Sequence, residues 1–490
     1  MRERERGKER EMAETLPLKE VPGDGNDAVG RWPYLGAIED RIEFFHAEQE
    51  FWASRLKKYG STVFRVNMPP SPPGFSANPV IMLLDLKSYP ILFDNSKVDK
   101  KDVLTANYMP SLSFFGGIRP CIYLDPSEER HTKIKSFIID LIKSNANKWI
   151  PEIGKAASEI FTVWEEKMAK DGTAELNSEC GQFACNVLLR TVVGRDPAAP
   201  GEASLGDKGP FYFQAWLGPQ LAPISSVGLP QILEEPLLHT FPIPYLTIAP
   251  FHSKTVKFFE TYATELLDKA QEEYNIERND ALHNLIFTLV FNAFGGLLIF
   301  LPSLLGFVGR ADESVRQALV SEVRNAVDSE GGEITVAAVH SMELVKSVVY
   351  ESLRMRPPVP YQYGRAKEDL IIESYDARFE VKKGEIIGGC LPFASRDPNV
   401  FADPDTFIAS RFTGHEGKKL LHYVFWSNGF GNEHSSPHNK QCAAADFVPF
   451  LSQTFLANFF LRYDDYTTDD PKVTGNSQSI TYKFTSLKRA

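Results

Sequence analysis

Apolar residues recur at spacings of three and four along most of the chain, which is the pattern of helices that bury one face. The segments with this spacing are 40–59, 129–148, 151–170, 253–300, 312–329 and 336–355. Strands are the minority, because β-branched residues alternate with polar ones only over short stretches between turn signals. These stretches are 61–68, 79–85 and 370–389. The pattern predicts a mainly α fold with minor β structure.

The order of these segments contains neither an internal repeat nor a long low-complexity linker. A chain of 490 residues with 43% hydrophobic and 24% charged residues is large enough to bury a pocket for a lipid or a cofactor. The chain starts with MRERERGKER, in which positive and negative charges alternate, and we expect residues 1–15 to form a disordered charged tail. We expect a single domain over residues 16–490.

The segment 285–308 is apolar enough and long enough to cross a bilayer. It also contains Asn292, a Gly295-Gly296 pair and Pro302, and charged, helix-like sequence lies on both sides of it. These features favour a buried core helix over a membrane span.

A second apolar stretch, 209–251, is rich in proline, leucine and aromatic residues. Such a stretch is typical of short helices and loops that pack in a core. The alternative is that it forms the mouth of an apolar pocket and contacts a membrane or a lipid.

Charge and cysteine usage narrow the function classes. The formal net charge is −11, and no Lys/Arg block follows the first ten residues, which argues against a nucleic-acid partner. The 5 cysteines are an odd number at irregular spacing, which is not a secreted disulfide framework. The N-terminus shows neither an apolar signal core nor a clear transit peptide. We expect a cytoplasmic or peripheral membrane location, with the plastid as the alternative.

Cys442, in the stretch HNKQCAAADF, supports two metal hypotheses. In the first, zinc binds His434, His438 and Cys442, whose spacing of four would align them on one helix. Pro437 and the neighbouring Gly, Asn and Ser residues instead predict a loop, which weakens this hypothesis. Under this zinc hypothesis the protein would be a zinc-binding lipid carrier without enzymatic activity.

In the second hypothesis Cys442 is the thiolate ligand of a haem iron. It precedes an apolar helical pattern over 443–463, and the positive end of a helix with its free N–H groups would favour a thiolate. The alanines that follow leave room for a flat macrocycle, and a thiolate ligand favours cleavage of an O–O bond. Pro449 predicts a kink in this helix unless it lies in the first turn.

Glu351 and Arg354 lie one helical turn apart in YESLRMRPP, shortly before Pro357 ends the helix. A Glu-x-x-Arg pair is a weak signal alone. Here a hairpin region, then Arg411, then the Cys442 loop follow it, and this order resembles the cytochrome P-450 superfamily. The resemblance implies a haem-thiolate cytochrome P-450 fold, haem b as the cofactor, Cys442 as its axial iron ligand, and a structural pairing of Glu351 and Arg354 with Arg411.

The motifs WSNG, NKQCA, QYGRAKEDL, YMPS and YLDPSE resemble more closely the plant branch that rearranges fatty-acid hydroperoxides. This branch comprises allene oxide synthases, hydroperoxide lyases and divinyl ether synthases, and the resemblance covers residues 16–488. Monooxygenases of the superfamily carry an acid-alcohol pair in the central helix, where this chain has FNAFGG. The resemblance therefore implies a fatty-acid hydroperoxide substrate, which already contains an O–O bond and needs no reductase.

The resemblance also assigns roles to single residues. Asn292 would orient the hydroperoxide through its side-chain amide, and the alternative is a buried Asn that bonds a helix carbonyl. In KKDVL, Leu104 stands where allene oxide synthases have a phenylalanine thought to stabilise the carbon radical. Leucine has no π face. In this respect the chain resembles the lyases and divinyl ether synthases. The alternative for Leu104 is simple core packing.

Two further groups of residues match the family. The cations that would bind the haem propionates are Lys100, His131, Lys135 and Lys440. The apolar residues that would enclose the acyl chain, or else only fill core, are Phe114, Phe115, Phe291 and Phe294. The departures from the family pattern are His438, Ala444, Pro449 and the segment IASRF at 408–412.

The sequence thus predicts a haem-dependent fatty-acid hydroperoxide lyase that yields a hemiacetal and then short-chain aldehydes and oxo-acids. The first alternatives are a divinyl ether or epoxyalcohol synthase, followed by an allene oxide synthase. The alternative from another class is the zinc-binding lipid carrier.

Overall fold

A computed structural model of the chain describes residues 16–23, 38–68, 79–106, 108–241, 243–474 and 480–490. The expected tail, 1–15, lies outside the described residues. The α-helices are α1 (Ile38–His46), α2 (Glu48–Tyr59), α3 (Glu129–Ser144), α4 (Ala146–Asp171), α5 (Asn177–Leu188), α6 (Gly209–Leu221), α7 (Gln231–Glu234), α8 (Ala249–Tyr262), α9 (Thr264–Tyr274), α10 (Arg278–Ile286), α11 (Gly295–Gly309), α12 (Glu313–Ser329), α13 (Val336–Ser341), α14 (Glu343–Met355), α15 (Leu391–Ala394), α16 (Gly414–Leu420) and α17 (Phe447–Arg462). Helices dominate, which confirms the predicted fold class.

The strands are short and lie in small sheets. They are β1 (Leu18–Glu20), β2 (Val63–Asn67), β3 (Pro79–Leu83), β4 (Val98–Asp99), β5 (Ala174–Glu175), β6 (Tyr361–Ala366), β7 (Leu370–Glu373), β8 (Arg378–Val381), β9 (Ile386–Cys390), β10 (Tyr463–Thr468), β11 (Lys472–Val473), β12 (Ile480–Thr481) and β13 (Lys483–Arg489). The largest sheet has the order β2-β3-β9-β6-β4, and the others are β1-β8-β7, β10-β13-β5 and β11-β12.

The predicted strand region 370–389 divides between two sheets. Strands β7 and β8 form an antiparallel hairpin that pairs Leu370 with Val381. Strand β9 instead pairs antiparallel with β6 and parallel with β3. The parallel pairing joins segments that are distant in the sequence, so local alternation of residues does not reveal it.

The predicted helix 253–300 is five elements rather than one. Helix α8 ends before Ala263, and α9 ends at Asn275, whose φ of 51° is left-handed. Helix α10 then continues through a π-helical segment, Phe287–Phe294, into α11. Helices α8 and α9 bury one face, and the elements after them are buried over most of their surface, so apolar residues recur across all the boundaries.

The stretch from Arg278 to Gly309 is long and apolar enough to cross a membrane by length and composition, and 61% of its most apolar window is buried inside the fold. It packs against α5, α6 and α14. These contacts agree with the expected buried core helix. Helix α17 in turn packs against α4, α12 and α14, so the central helix and the segment after Cys442 share one core.

Candidate active site

The loop that carries Cys442 is held in a hairpin-like turn. Ser427 and Gln441 form an isolated antiparallel bridge, and the Cys442 N–H donates to the Trp426 carbonyl over 3.2 Å. The Trp426 N–H in turn donates to the Gly429 carbonyl over 2.9 Å. A Cβ at Gly429 would lie 2.7 Å from the Gln441 side chain, so only glycine fits there. The backbone at Cys442 is therefore fixed from both sides of the turn.

Helix α17 begins at Phe447, four residues later than Ala443, where the sequence predicts its start. Residues 443–446 form turns, in which the Ala445 N–H donates to the Cys442 carbonyl over 3.1 Å. Pro449 is the third residue of α17 and lies in its first turn, where a proline lacks no helical hydrogen bond. At this position Pro449 gives no reason for a kink in α17.

Burial raises the pKa of the Cys442 thiol, while the Ala444 N–H and the charge of Lys135 act in the opposite direction. Helix α17 starts five residues after Cys442, which reduces the effect of its dipole on this thiol. The expected thiolate state of Cys442 stays a prediction. A metal ion that coordinates the sulfur would itself drive deprotonation.

Three lysine amines donate hydrogen bonds to backbone carbonyls in or near the loop that carries Cys442. The Lys100 amine donates to the Tyr363 carbonyl over 2.9 Å, and the Lys135 amine donates to the Gln441 carbonyl over 2.8 Å. The Lys440 amine donates to the carbonyls of Cys121 and Ile122, each over 3.0 Å. Backbone carbonyls satisfy these amines but do not neutralise their charge.

The same cations repel one another. Burial, followed by the charge of Lys440, lowers the pKa of Lys100 to about 7. Burial, then Lys440 and Lys135, lowers the pKa of His131 to about 3, and burial lowers the pKa of Lys135 to about 8. The Nδ1 atom of His131 is buried without a hydrogen-bond partner among the described residues. A buried polar atom of this kind is normally paired with a ligand or a water, and an anion close to these cations would offset their mutual repulsion.

Glu351 lies at the centre of a buried ion network. Arg354 donates to its two carboxylate oxygens over 2.7 and 2.8 Å, and Arg411 donates to both over 3.0 Å. The Ile408 N–H also donates to Glu351 over 2.9 Å. The segment IASRF therefore packs against α14 although its first residues depart from the family pattern. The ring of Phe401, which sequence reasoning missed, lies 5.0 Å from the Arg354 guanidinium.

Asn292 lies in the π-helical segment of the central helix, and its side chain is exposed although the helix is largely buried. The side chain makes no hydrogen bond within the described part of the chain, so the alternative of a satisfied core Asn is not observed. A Cβ added to Gly296 would meet nothing within 4 Å, so open space lies beside this part of the helix. π-Helical turns are frequent at functional sites.

The four predicted wall residues fall into two environments. Phe115 lies 5.6 Å from Phe287, which stacks on Phe291 at 4.8 Å. Phe114 belongs to the same apolar region and contacts Tyr245. Phe294 instead packs edge-to-face on Phe213 at 5.3 Å, and none of its described ring contacts joins it to the other three. Sequence reasoning missed Phe287 and Trp216, which connect the cluster.

The geometry does not support a zinc site. The segment 431–440 forms turns and no helix, His438 is exposed, and His434 pairs with Asp446 at 3.0 Å. Over the described ranges, no group of three or more His, Cys, Asp and Glu side chains could hold a metal ion.

Comparisons with known proteins decide the family. The family model for cytochrome P450 matches residues 311–432. The chain is 44% identical over 479 residues to allene oxide synthase 1, chloroplastic, of Solanum lycopersicum, with 97% of this chain and 87% of that protein aligned. It is 44% identical over 480 residues to the chloroplastic allene oxide synthase of Linum usitatissimum, with 97% and 87% aligned. It is 43% identical over 481 residues to a divinyl ether synthase of Selaginella moellendorffii, with 96% of each chain aligned.

The chain belongs to the cytochrome P450 family. It is an enzyme of the plant branch that metabolises fatty-acid hydroperoxides. A cytochrome P450 carries haem b, with a cysteine thiolate as the iron ligand. The residues described above fit haem b. Cys442 offers a sulfur ligand for the iron, and the buried lysines, which donate only to uncharged carbonyls, offer positive charge for the two propionate carboxylates.

The loop that carries Leu104 in this cytochrome P450 is conformationally constrained. Asp102 and Ala106 on either side of Leu104 have φ values of 52° and 50°, in the left-handed region. Arg119 holds Asp102 through a hydrogen bond of 2.7 Å, and the Asp102 N–H donates to the Tyr123 carbonyl over 2.9 Å. Leu104 is half-buried against the main core. Such strain is typical of ligand-binding loops, and no sequence signal indicated it.

Proposed function

We propose that this cytochrome P450 is a fatty-acid hydroperoxide lyase. The observation that supports the proposal is Leu104, an aliphatic residue in a constrained loop, where the resemblance places a phenylalanine in allene oxide synthases. Cleavage of the substrate is an isomerisation followed by fragmentation. It therefore consumes no oxidant or reductant, which agrees with the absence of an acid-alcohol pair at Phe291–Gly296.

Each remaining site residue has a role in this proposal. Cys442 would hold the iron, and Lys100, His131, Lys135 and Lys440 would neutralise the propionates. When bound, haem would supply the iron that splits the O–O bond homolytically. Glu351, Arg354 and Arg411 hold the segment before the cysteine loop against α14.

Asn292 would orient the hydroperoxide, because its amide is exposed on a helix segment whose other polar residue is Thr288. The cluster around Phe115 and Phe291 would enclose the acyl chain and exclude water. Leu104 offers no π face to a carbon radical, so the radical would recombine with hydroxyl instead of losing an electron. The resulting hemiacetal breaks its C–O bond and gives two aldehyde fragments, one of which carries the carboxylate.

Allene oxide synthase is the second candidate. The observation that favours it is the similarity reported above to two proteins named allene oxide synthases. The Selaginella moellendorffii relative supports divinyl ether synthesis in the same way.

One incubation separates these candidates. Purified, haem-loaded protein is mixed with the 9- and 13-hydroperoxides of linoleic and linolenic acid, without reductase or dioxygen, and the products are identified by mass spectrometry. Short-chain aldehydes with matching oxo-acids support the lyase. Ketols from allene oxide hydrolysis would instead identify an allene oxide synthase, and a divinyl ether would identify a divinyl ether synthase. No consumption of any hydroperoxide would overturn the proposal altogether.

The variant Leu104→Phe tests the role of Leu104. We expect ketols to increase at the expense of aldehydes, because an aromatic ring stabilises the radical as it is oxidised. Leu461→Phe is the matched control, since Leu461 is partly exposed on α17. An aldehyde yield that is unchanged in Leu104→Phe contradicts the assignment of this residue.

We also propose a peripheral lipid contact through the segment Val227–Leu246. It contains the most exposed large apolar side chains of the described residues, Ile232 and Leu246, each 83% exposed. The Solanum lycopersicum and Linum usitatissimum relatives are chloroplastic by name, so the plastid and the cytoplasm are the locations to test. Imaging of a full-length fluorescent fusion with a plastid marker distinguishes them.

A further inference from the structure

A polar group without a partner is buried beside the apolar cluster. The side chain of His252, in α8, is 1% exposed, and its ring stacks on Trp216 with the centroids 5.3 Å apart. Its Nδ1 lies 3.0 Å from the Tyr245 hydroxyl. Its Nε2 has no hydrogen-bond partner in the part of the chain that the structure describes.

The contact between Tyr245 and His252 admits a tautomer in which Nε2 is a donor. When the Tyr245 hydroxyl donates to Nδ1, the proton of a neutral imidazole lies on Nε2. Burial, followed by the neighbouring His283, lowers the pKa of His252 to about 3, so the ring is neutral at physiological pH. The consequence is an N–H donor that faces no acceptor, which a folded protein rarely maintains without a ligand or water.

A second unpartnered group lies one turn further along α8. The Thr255 hydroxyl is fully buried, and it too has no partner among the described residues. Buried threonines in helices commonly bond the carbonyl one turn back, and Thr255 does not. Residues three apart on a helix share a face, so His252 and Thr255 present two unused donors on the same side.

His252 lies next to the aromatic cluster that would enclose the acyl chain. Trp216, on which His252 stacks, lies 6.0 Å from Phe115 and 6.3 Å from Phe291 between ring centroids. Tyr245 packs on Phe114 at 5.5 Å. His252 therefore lies at the edge of an aromatic cluster, and Thr255 follows it by three residues on the same helix. A polar group beside an apolar cluster suits a long-chain acid.

We propose that His252 Nε2 and Thr255 Oγ1 bind the carboxylate of the fatty-acid substrate and thereby position its chain in the site. The proposal rests on the proposed function for the substrate class. A carboxylate has two oxygens that accept hydrogen bonds from two donors, and its apolar chain would extend along Trp216 and Phe115. Two titratable groups lie close to the ring: the Tyr245 hydroxyl and His283, whose ring centroid is 6.1 Å from that of His252.

Two substitutions remove the donors with little change in shape. His252→Phe keeps a ring on Trp216, and Thr255→Val keeps the volume of the side chain. Thr191→Val is the matched control, because Thr191 is also fully buried and also lacks a partner for its hydroxyl, in the separate segment Leu189–Val193. Thr255→Ser restores a hydroxyl and serves as the rescue variant.

The measurement compares a hydroperoxide with its methyl ester, which lacks the charge. We expect each substitution to raise KM for the acid about tenfold, while KM for the ester and kcat stay close to their wild-type values. Thr191→Val should behave as wild type, and Thr255→Ser should recover most of the affinity. Equal changes for acid and ester, or no change in either variant, would overturn the proposal and leave only a bound water at this position.

Calorimetric binding of an unreactive hydroxy fatty acid and its methyl ester separates this proposal from the proposed function. Preference of the wild type for the acid, lost in His252→Phe, supports the carboxylate site even for a protein that turns over no hydroperoxide. Turnover of hydroperoxides together with equal binding of acid and ester by the wild type would overturn the carboxylate site alone.

Discussion

Three buried lysine amines donate hydrogen bonds only to uncharged carbonyls, and burial lowers the pKa of each amine. They belong to Lys100, Lys135 and Lys440. Asp125 and Asp99 offset part of the charge on Lys100, but no carboxylate pairs directly with the other two amines among the described residues. A site that keeps buried cations apart from carboxylates is suited to an anionic ligand. The two propionates of haem are such a ligand.

Haem affinity should therefore depend on these charges. We expect wild-type protein to bind haem about tenfold more tightly than haem dimethyl ester, a difference of about 1.4 kcal/mol. Lys440→Met should weaken haem binding by a similar factor and leave ester binding nearly unchanged. Absorbance titration of haem-free protein measures both affinities.

Lys382→Met is the control, because Lys382 is 63% exposed and pairs with surface carboxylates. It should bind both compounds as the wild type does. Equal wild-type affinity for haem and its dimethyl ester would exclude a propionate site at these cations.

At the residue scale, the order of Glu351, Arg411 and Cys442 along the chain is itself a signal for the predicted site, whereas the predicted cations follow only from the family resemblance. The sequence did not reveal the exposed side chain of Asn292 or the unpartnered nitrogen of His252. Both properties depend on packing between segments that are distant in the sequence. The raised pKa of the Cys442 thiol has the same origin, since burial in the assembled core is its largest cause.

At the scale of elements, the buried network around Glu351 joins α14 to the segment that precedes the cysteine loop. Arg411 also donates to the carbonyls of Ala402 and Thr406 over 2.5 and 2.9 Å, so one guanidinium connects a helix and a coil segment. The Phe412 N–H donates to Ser347 of α14 over 3.0 Å. The coil segment depends on these contacts, because it has no sheet or helix of its own from Phe401 to Arg411.

Glu351→Gln should destabilise the fold by about 3–5 kcal/mol, because it leaves two buried guanidinium groups without a counter-charge. The urea midpoint of unfolding, followed by circular dichroism, measures the loss. Asp369→Asn is the matched control, since its ion pair with Lys382 is largely exposed and should contribute little to stability. Equal midpoints for the two variants would show that the network is not a stabilising element.

The element boundaries were the least predictable part of the fold. The apolar spacing from 253 to 300 continues through Asn275, where a left-handed residue ends α9, because the helices on both sides face the same core. The start of α17 is misplaced for a different reason: small residues after Cys442 have helical propensity, but the fixed cysteine loop keeps them in turns. In both places tertiary contacts override the local pattern.

At the scale of the whole molecule, the segment from Val227 to Leu246 combines an anchored inner side with an apolar outer side. On the inner side, Arg41 of α1 pairs with Glu235 and donates to the His239 carbonyl over 2.7 Å. The His239 ring stacks on Phe45 at 3.7 Å. The outer side exposes Ile232 and Leu246, so this segment is held in place with its apolar side chains towards solvent.

Association with neutral lipid vesicles tests the role of this surface, because a net charge of −11 gives no electrostatic attraction to anionic lipid. We expect the wild type to float with phosphatidylcholine vesicles at both low and high salt. The double variant Ile232→Glu, Leu246→Glu should lose binding, since each side chain contributes about 1–2 kcal/mol on burial. The control is Val359→Glu, Val473→Glu, which changes two apolar residues that are 53% and 52% exposed elsewhere on the fold. If both double variants float as the wild type does, or if the wild type stays in solution, this segment is not a lipid-binding surface.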